Sequence, residues 1–148
     1  MTADILTITR HLDGPPEVVF DAWTTPAHFA AWFGGADVEV PICTVSLDAR
    51  SGGAWRADMH LPDGHVIHWS GHYVSVIRPR RLVVTISDAP EHAPGAPLEV
   101  DFTADGAGTT MTLVQRGTEV FSAEQYALTE AGYGRFFDAL EELVARIG

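Results

Sequence analysis

The 148-residue chain contains no lysine, and all nine of its basic residues are arginine. A Schiff-base enzyme, a P-loop ATPase and a lysine-assisted phosphotransferase each need an ammonium group at a fixed place, so all three are excluded. Cys43 is the single cysteine. One thiol forms no intrachain disulfide and no Cys-based zinc site, and its scarcity fits a cytoplasmic setting. Positive charge is scarce as well: twenty acidic residues against nine basic ones give a formal net charge of -11. That field repels phosphate backbones and anionic lipid, so neither a nucleic-acid partner nor a membrane-surface role is expected. No apolar run approaches the roughly 20 residues that span a bilayer. The segment around Asp4 lacks the basic stretch and apolar run of a secretory leader, and none is expected. The Gly-x-Ser-x-Gly elbow, the His-Glu-x-x-His pair and the phosphate-binding loop are all missing. No metal and no cofactor are therefore expected.

The residues present describe a folded domain. Hydrophobic residues make up 46% and charged residues 20%, and a chain of this length buries about two-thirds of its surface on folding. One domain over residues 1–148 is expected. Residues 4–12 alternate Thr with Ile and Leu, which is strand chemistry. Pro16 and Pro26 each suit the first position of a helix, where the missing N–H does no harm. The first short helix carries Val18, Val19, Ala22 and Trp23. The second, capped by Thr25, carries Phe29, Trp32 and Phe33 and ends at Gly34-Gly35. Strands are predicted over 43–49, 53–61, 65–77, 81–87, 97–104 and 109–117, separated by Gly- and Pro-containing turns. A long Pro-rich loop covers 88–97. Ser122 and Gln125 form a capping box, and Phe121 and Tyr126 a hydrophobic staple, for a last helix running to Ile147, roughly 39 Å long. Its apolar face holds Tyr133, Phe136, Phe137, Leu140, Leu143, Val144 and Ile147. Gly132 and Gly134 interrupt that helix, as if something passed close to the backbone there. Consecutive short strands imply an antiparallel sheet, which the long helix must cross to be covered.

Register follows from arithmetic. A three-residue loop at Pro62-Asp63-Gly64 pairs Leu61 with His65, so paired residue numbers sum to 126. One face then carries Trp55, Ala57, Met59, Leu61, Ile67, Trp69 and Tyr73. The other carries Arg56, Asp58, His60, Val66, His68, Ser70 and His72. A one-residue slip would mix these apolar and polar sets, so the Trp/Met/Tyr face points inward. A bulge at Gly71 would change the parity beyond it.

Several stretches resemble one family across nearly the whole chain. Pro16-Glu17-Val18-Val19-Phe20-Asp21-Ala22-Trp23-Thr24-Thr25-Pro26 with Ala27-His28-Phe29-Ala30-Ala31-Trp32-Phe33-Gly34 resembles the opening signature of bacterial proteins similar to the C-terminal domain of the activator of Hsp90 ATPase. These are START-like (SRPBCC, Bet v 1-like) proteins. Leu47-Asp48-Ala49-Arg50-Ser51-Gly52-Gly53-Ala54-Trp55, Gly71-His72-Tyr73, Pro79-Arg80-Arg81-Leu82-Val83-Val84-Thr85, Gly108-Thr109 and Gly132-Tyr133 resemble later signatures. Tyr133 and Phe33 stand where the family commonly has Trp. The resemblance implies an α+β helix-grip fold: a seven-stranded antiparallel sheet curved around a long C-terminal helix, two short helices after the first strand, and a cavity between. The superfamily includes lipid carriers, hormone receptors, polyketide cyclases and co-chaperones, so the fold does not fix one chemistry.

The candidate ligand-binding residues are Trp32, Phe33, Trp55, Met59, Trp69, Tyr73, Tyr133 and Phe136, read either as cavity wall or as plain core. Tyr133, whose hydroxyl needs a partner when buried, is the weak catalytic candidate and the first choice for orienting a ligand. Arg10, Glu39 and Tyr73 are further acid–base candidates that could approach the cavity, with surface salt pairing the expected fate of Arg10 and Glu39. His68 and His72 lie about 13 Å apart along one strand, too far for one metal ion. His68, Asp58 and His60 would make a metal set only if the outer face gathered them, and a solvated face is the expectation. Arg78, Arg80 and Arg81 read as a solvated trio or an anion patch. The primary expectation is binding of a small hydrophobic or aromatic molecule for sequestration, transport or sensing. The alternatives are a cofactor-free cyclase or dehydratase of polyketide type and a co-chaperone-like ATPase activator. A homodimer is left open.

Overall fold

The computed structural model describes residues 6–35, 38–86, 97–115 and 123–147, with the side chains of residues 6 and 123–132 excepted. The chain runs β1 (Leu6–Leu12), α1 (Pro16–Thr24), α2 (Pro26–Trp32), a 3₁₀ turn (Ile42–Thr44), β2 (Ser46–Leu47), β3 (Ala54–His60), β4 (Val66–Ile77), β5 (Arg81–Val84), β6 (Leu98–Asp105), β7 (Gly108–Gln115) and α3 (Ala123–Ile147). The strands form one seven-stranded antiparallel sheet in the order β1-β7-β6-β5-β4-β3-β2. The architecture is the expected α+β one, a sheet with α3 on its inner side and two short helices after β1.

The β3–β4 hairpin has the predicted register, from Ala54 opposite His72 to His60 opposite Val66. Burial follows the alternation: Trp55, Ala57, Met59 and Tyr73 are buried, and Arg56, His60, His68 and His72 are exposed. No bulge occurs at Gly71. The register shifts between Tyr73 and Ser75 instead, which leaves Tyr73 facing inward and Val74 exposed.

Four local expectations need correction. The strand predicted over 43–49 shrinks to Ser46–Leu47 because the Thr44 hydroxyl ties back to the Pro41 carbonyl (2.7 Å), which winds the chain into the 3₁₀ turn. The same oxygen accepts the Asp58 N–H (3.1 Å), replacing a ladder bond at the sheet edge. Thr25 stands at the N-cap of α2, but its side chain makes no capping bond; its backbone N–H closes α1 on the Asp21 carbonyl (2.9 Å). Nothing lies within 4 Å of where a Cβ on Gly134 would be. The close approach comes one residue later, where Gly35 (φ +88) lies against the Arg135 backbone. Ile147, placed on the apolar face of α3, is 41% exposed at the end of the helix. The capping box, the staple, the 88–96 part of the Pro-rich loop and the surroundings of Gly132 lie outside the described residues.

The core divides into two ends along α3. At the C-terminal end, Leu140 and Val144 are fully buried with Leu12, Val19, Met111 and Leu113. Gly14 makes this possible: a Cβ there would lie 2.6 Å from Val144 Cγ1. The fully buried Thr109 hydroxyl donates to the Gly14 carbonyl (2.7 Å) and locks the corner. Around Tyr133 and Phe136, at the middle of α3, the packing is different.

Candidate functional site

Between the middle of α3 and the sheet lies a cavity of about 370 Å³, within the range of small-molecule sites. Each wall has its own source. Trp55 comes from β3, Trp69 and Tyr73 from β4, Leu82 and Val84 from β5, Leu98 from β6 and Gln115 from β7. Trp23, Phe29, Trp32 and Phe33 come from the α1–α2 segment, and Tyr133, Phe136 and Phe137 from α3. Leu47 and Ile86 complete the lining. The half-buried members, among them Leu47, Trp69, Ile86 and Phe136, mark its open side.

The rings prop one another instead of filling the space. Phe33 is the hub: its ring lies 4.5 Å from that of Phe29, 5.5 Å from Phe136, 6.1 Å from Trp55 and 6.3 Å from Trp69. It therefore spans from α3 to two strands. Two indoles are pinned by hydrogen bonds, Trp32 Nε1 to the Ala22 carbonyl (2.8 Å) and Trp55 Nε1 to the Thr85 carbonyl (2.9 Å). Gly71 permits the second bond, because a Cβ there would collide with the Thr85 carbonyl oxygen and lie 2.6 Å from Trp55 Nε1.

Seven of the candidate ligand residues come together on this wall: Trp32, Phe33, Trp55, Trp69, Tyr73, Tyr133 and Phe136. Met59 does not. It lies two residues beyond Ala57 toward the hairpin, 3% exposed, with its methyl packed under Gly34. Sequence reasoning missed Gln115, yet the signal was present: Met111 and Leu113 are the inward residues of β7, and Gln115 continues the same period of two. Trp23, Phe29 and Phe137 were readable as core, but which core residues border a hollow depends on tertiary geometry.

The site is almost without charge. Among the described residues that line it, none carries an ionised side chain at neutral pH. The Tyr133 hydroxyl donates to Gln115 Oε1 (3.1 Å), and burial holds its pKa well above the usual tyrosine value. The Tyr73 hydroxyl is likewise held protonated, by burial first and then by the negative charge of Asp48. Arg10 and Glu39 are not at the cavity. Arg10 binds Asp138 (2.8 Å) and Glu141 (3.4 Å), and Glu39 is exposed, joined to His60 through backbone bonds. Two of the arginine trio are paired, Arg78 gripping Asp21 through two bonds and Arg81 bridging Asp101 and Glu99, while Arg80 is exposed. On the outer face, His68 Nδ1 meets Asp58 Oδ1 at 2.8 Å. Among the described residues no group of three or more His, Cys, Asp or Glu side chains is gathered to hold a metal ion. No helix among them is long and apolar enough to cross a membrane.

The profile of the Activator of Hsp90 ATPase homolog 1-like protein family matches residues 13–145. The chain belongs to that family. Solved structures agree in fold. A Chromobacterium violaceum protein is 22% identical and superposes with a TM-score of 0.80, over 95% of this chain and 97% of that one. A Staphylococcus epidermidis protein, also 22% identical, gives 0.81 over 99% and 94%. The AHSA1-like protein of Aeromonas hydrophila, again at 22%, gives 0.78 over 97% and 93%. No curated protein matches the chain. Membership of the Activator of Hsp90 ATPase homolog 1-like family thus accounts for the architecture, and the function has to be argued from the cavity.

Proposed function

We propose that the protein binds a small hydrophobic or aromatic molecule in the space between sheet and α3. One observation carries this reading: an open-sided hollow of about 370 Å³ persists inside a core whose other end is fully buried. Ten of the sixteen lining residues are aromatic, so the walls offer ring faces and edges for stacking. A ligand would remove this apolar surface from water at roughly 25 cal/mol per Å². The catalytic alternative has less support. General acid–base chemistry works best with a group titrating near the operating pH, and the lining among the described residues holds two tyrosines shifted the wrong way. The co-chaperone alternative rests on family likeness alone.

The test is a thermal-shift and native mass-spectrometry screen of the purified protein against neutral aromatic, polycyclic and fatty-acid libraries. At least one compound should raise the melting temperature and appear as a stoichiometric adduct, and both signals should vanish when the cavity is filled by Val84→Phe. Uniform silence across the libraries defeats the proposal.

A further inference from the structure

The hydrogen-bonding groups of the cavity are few, and most are spoken for. The Tyr133 hydroxyl is committed to Gln115, and the indole N–H groups of Trp32 and Trp55 to backbone carbonyls. Those of Trp23 and Trp69 have no partner among the described residues and are sealed from solvent-sized contact by the atoms around them. Tyr73 differs from all of these. The residue is 4% exposed and stands in the cavity wall. Its hydroxyl has no hydrogen-bond partner among the described residues, and the side chain that carries it lines the open space. An unpaired hydroxyl at so buried a position is unfavourable unless something else fills its valence.

The surroundings restrict what that something is. Asp48 places a negative charge near the hydroxyl, and no cationic side chain lines the cavity among the described residues. A carboxylate or sulfonate entering here would lose its hydration with no counter-charge to replace it. A quaternary cation would suit the rings but would leave the hydroxyl unpaired. Resting on the cavity's being a ligand site, we infer that Tyr73 is the anchoring hydrogen-bond donor, and that the group it holds is a neutral acceptor, a carbonyl or ether oxygen, on an apolar ring system. Tyr133 donates to Gln115 Oε1 and shapes the wall, so the remaining rival donor is the Gln115 Nε2 group, and a preference for the ketone that survives Tyr73→Phe would assign the acceptor to it.

Three probes of nearly one shape separate the possibilities: 2-ethylnaphthalene, 2-acetylnaphthalene and 2-naphthoate, titrated calorimetrically at neutral pH into the full chain. The ketone should bind about five- to tenfold tighter than the hydrocarbon, the increment of one buried hydrogen bond, and the carboxylate should bind weakest. In Tyr73→Phe the ketone-to-hydrocarbon ratio should fall to about one. In Tyr133→Phe the ratio should persist whatever happens to the two affinities. The carbonyl stretching band of the bound ketone should move to lower frequency in the parent protein and return in Tyr73→Phe, a signature that a purely structural role for Tyr73 would not produce. Equal binding of ketone and hydrocarbon, a ratio that survives Tyr73→Phe, or preference for the carboxylate overturns the anchor while leaving the cavity as a binding site. If none of the three binds, the cavity reading falls and the anchor falls with it.

Discussion

Where the last half of α3 crosses β1 and α1, Leu140 and Val144 are fully buried against Leu12, Val19 and Met111, with none of these at the cavity. Two turns earlier on the same helix, Tyr133 and Phe136 look into about 370 Å³ of open space. Both ends are apolar, so hydrophobicity does not distinguish them. Spacing does. At the packed end Gly14 has no side chain and the helix settles onto it. At the hollow end the close of α2 stands between helix and sheet: Gly35 abuts the Arg135 backbone, and Phe33 reaches both Phe136 and Trp55. Rigid rings with two rotatable bonds hold a fixed distance where aliphatic chains would collapse inward. A wedge of aromatic residues thus keeps a void open that close packing would otherwise eliminate.

The comparison can be broken by matched truncations. Leu140→Ala removes a fully buried side chain from the packed end and should cost about 4 kcal/mol in urea denaturation. Leu47→Ala, at the half-buried rim of the cavity, adds to a space already present and should cost about 1 kcal/mol. Equal losses would mean that the two ends are packed alike. Enlargement reverses the direction of the question. Val144→Phe must push against Gly14 and should destabilise by about 3 kcal/mol. Val84→Phe grows into the cavity and should change stability by less than about 1 kcal/mol, while abolishing binding of the naphthyl ketone. A Val84→Phe protein that is as unstable as Val144→Phe would show that the hollow has no room for an added ring.

The sheet was legible because its information is local and periodic. The number sum of 126 across the Pro62-Asp63-Gly64 turn places Trp55, Trp69 and Tyr73 on one face without any knowledge of the rest of the fold. The hollow was not legible in the same way. Met59 shares the inward face of Trp55 yet packs under Gly34, outside the cavity, because the α2 exit loop covers that end of β3. Position along a strand decides this, and periodicity carries no information about it. The roles of the two tyrosines were likewise invisible. Tyr133 drew attention through its motif, but Gln115, eighteen residues away, occupies its hydroxyl. The identity of that partner depends on how α3 lies over β7, which no local pattern specifies.

Two buried hydroxyls give the finest version of the comparison. Thr109 donates to the Gly14 carbonyl at the packed end, where it is fully buried. Thr109→Val strands that carbonyl and should cost about 2 kcal/mol. Tyr133 donates to a side-chain amide bordering open space, so in Tyr133→Phe the Gln115 amide can turn to cavity water, and the loss should stay below about 1 kcal/mol. The same hydroxyl leaves a second trace at high pH. Tyr73 and Tyr133 both hold their protons more tightly in the folded protein than the ordinary value of 10.0. Below that value both states are protonated and stability is flat. Above it the unfolded chain ionises first, so stability falls as pH rises past about 10. Tyr133→Phe removes one of the two shifted groups and should make that decline shallower, as read from urea midpoints across the range. An unchanged slope would mean that Tyr133 ionises freely in the folded protein, and that the hollow end is wetter than its lining implies.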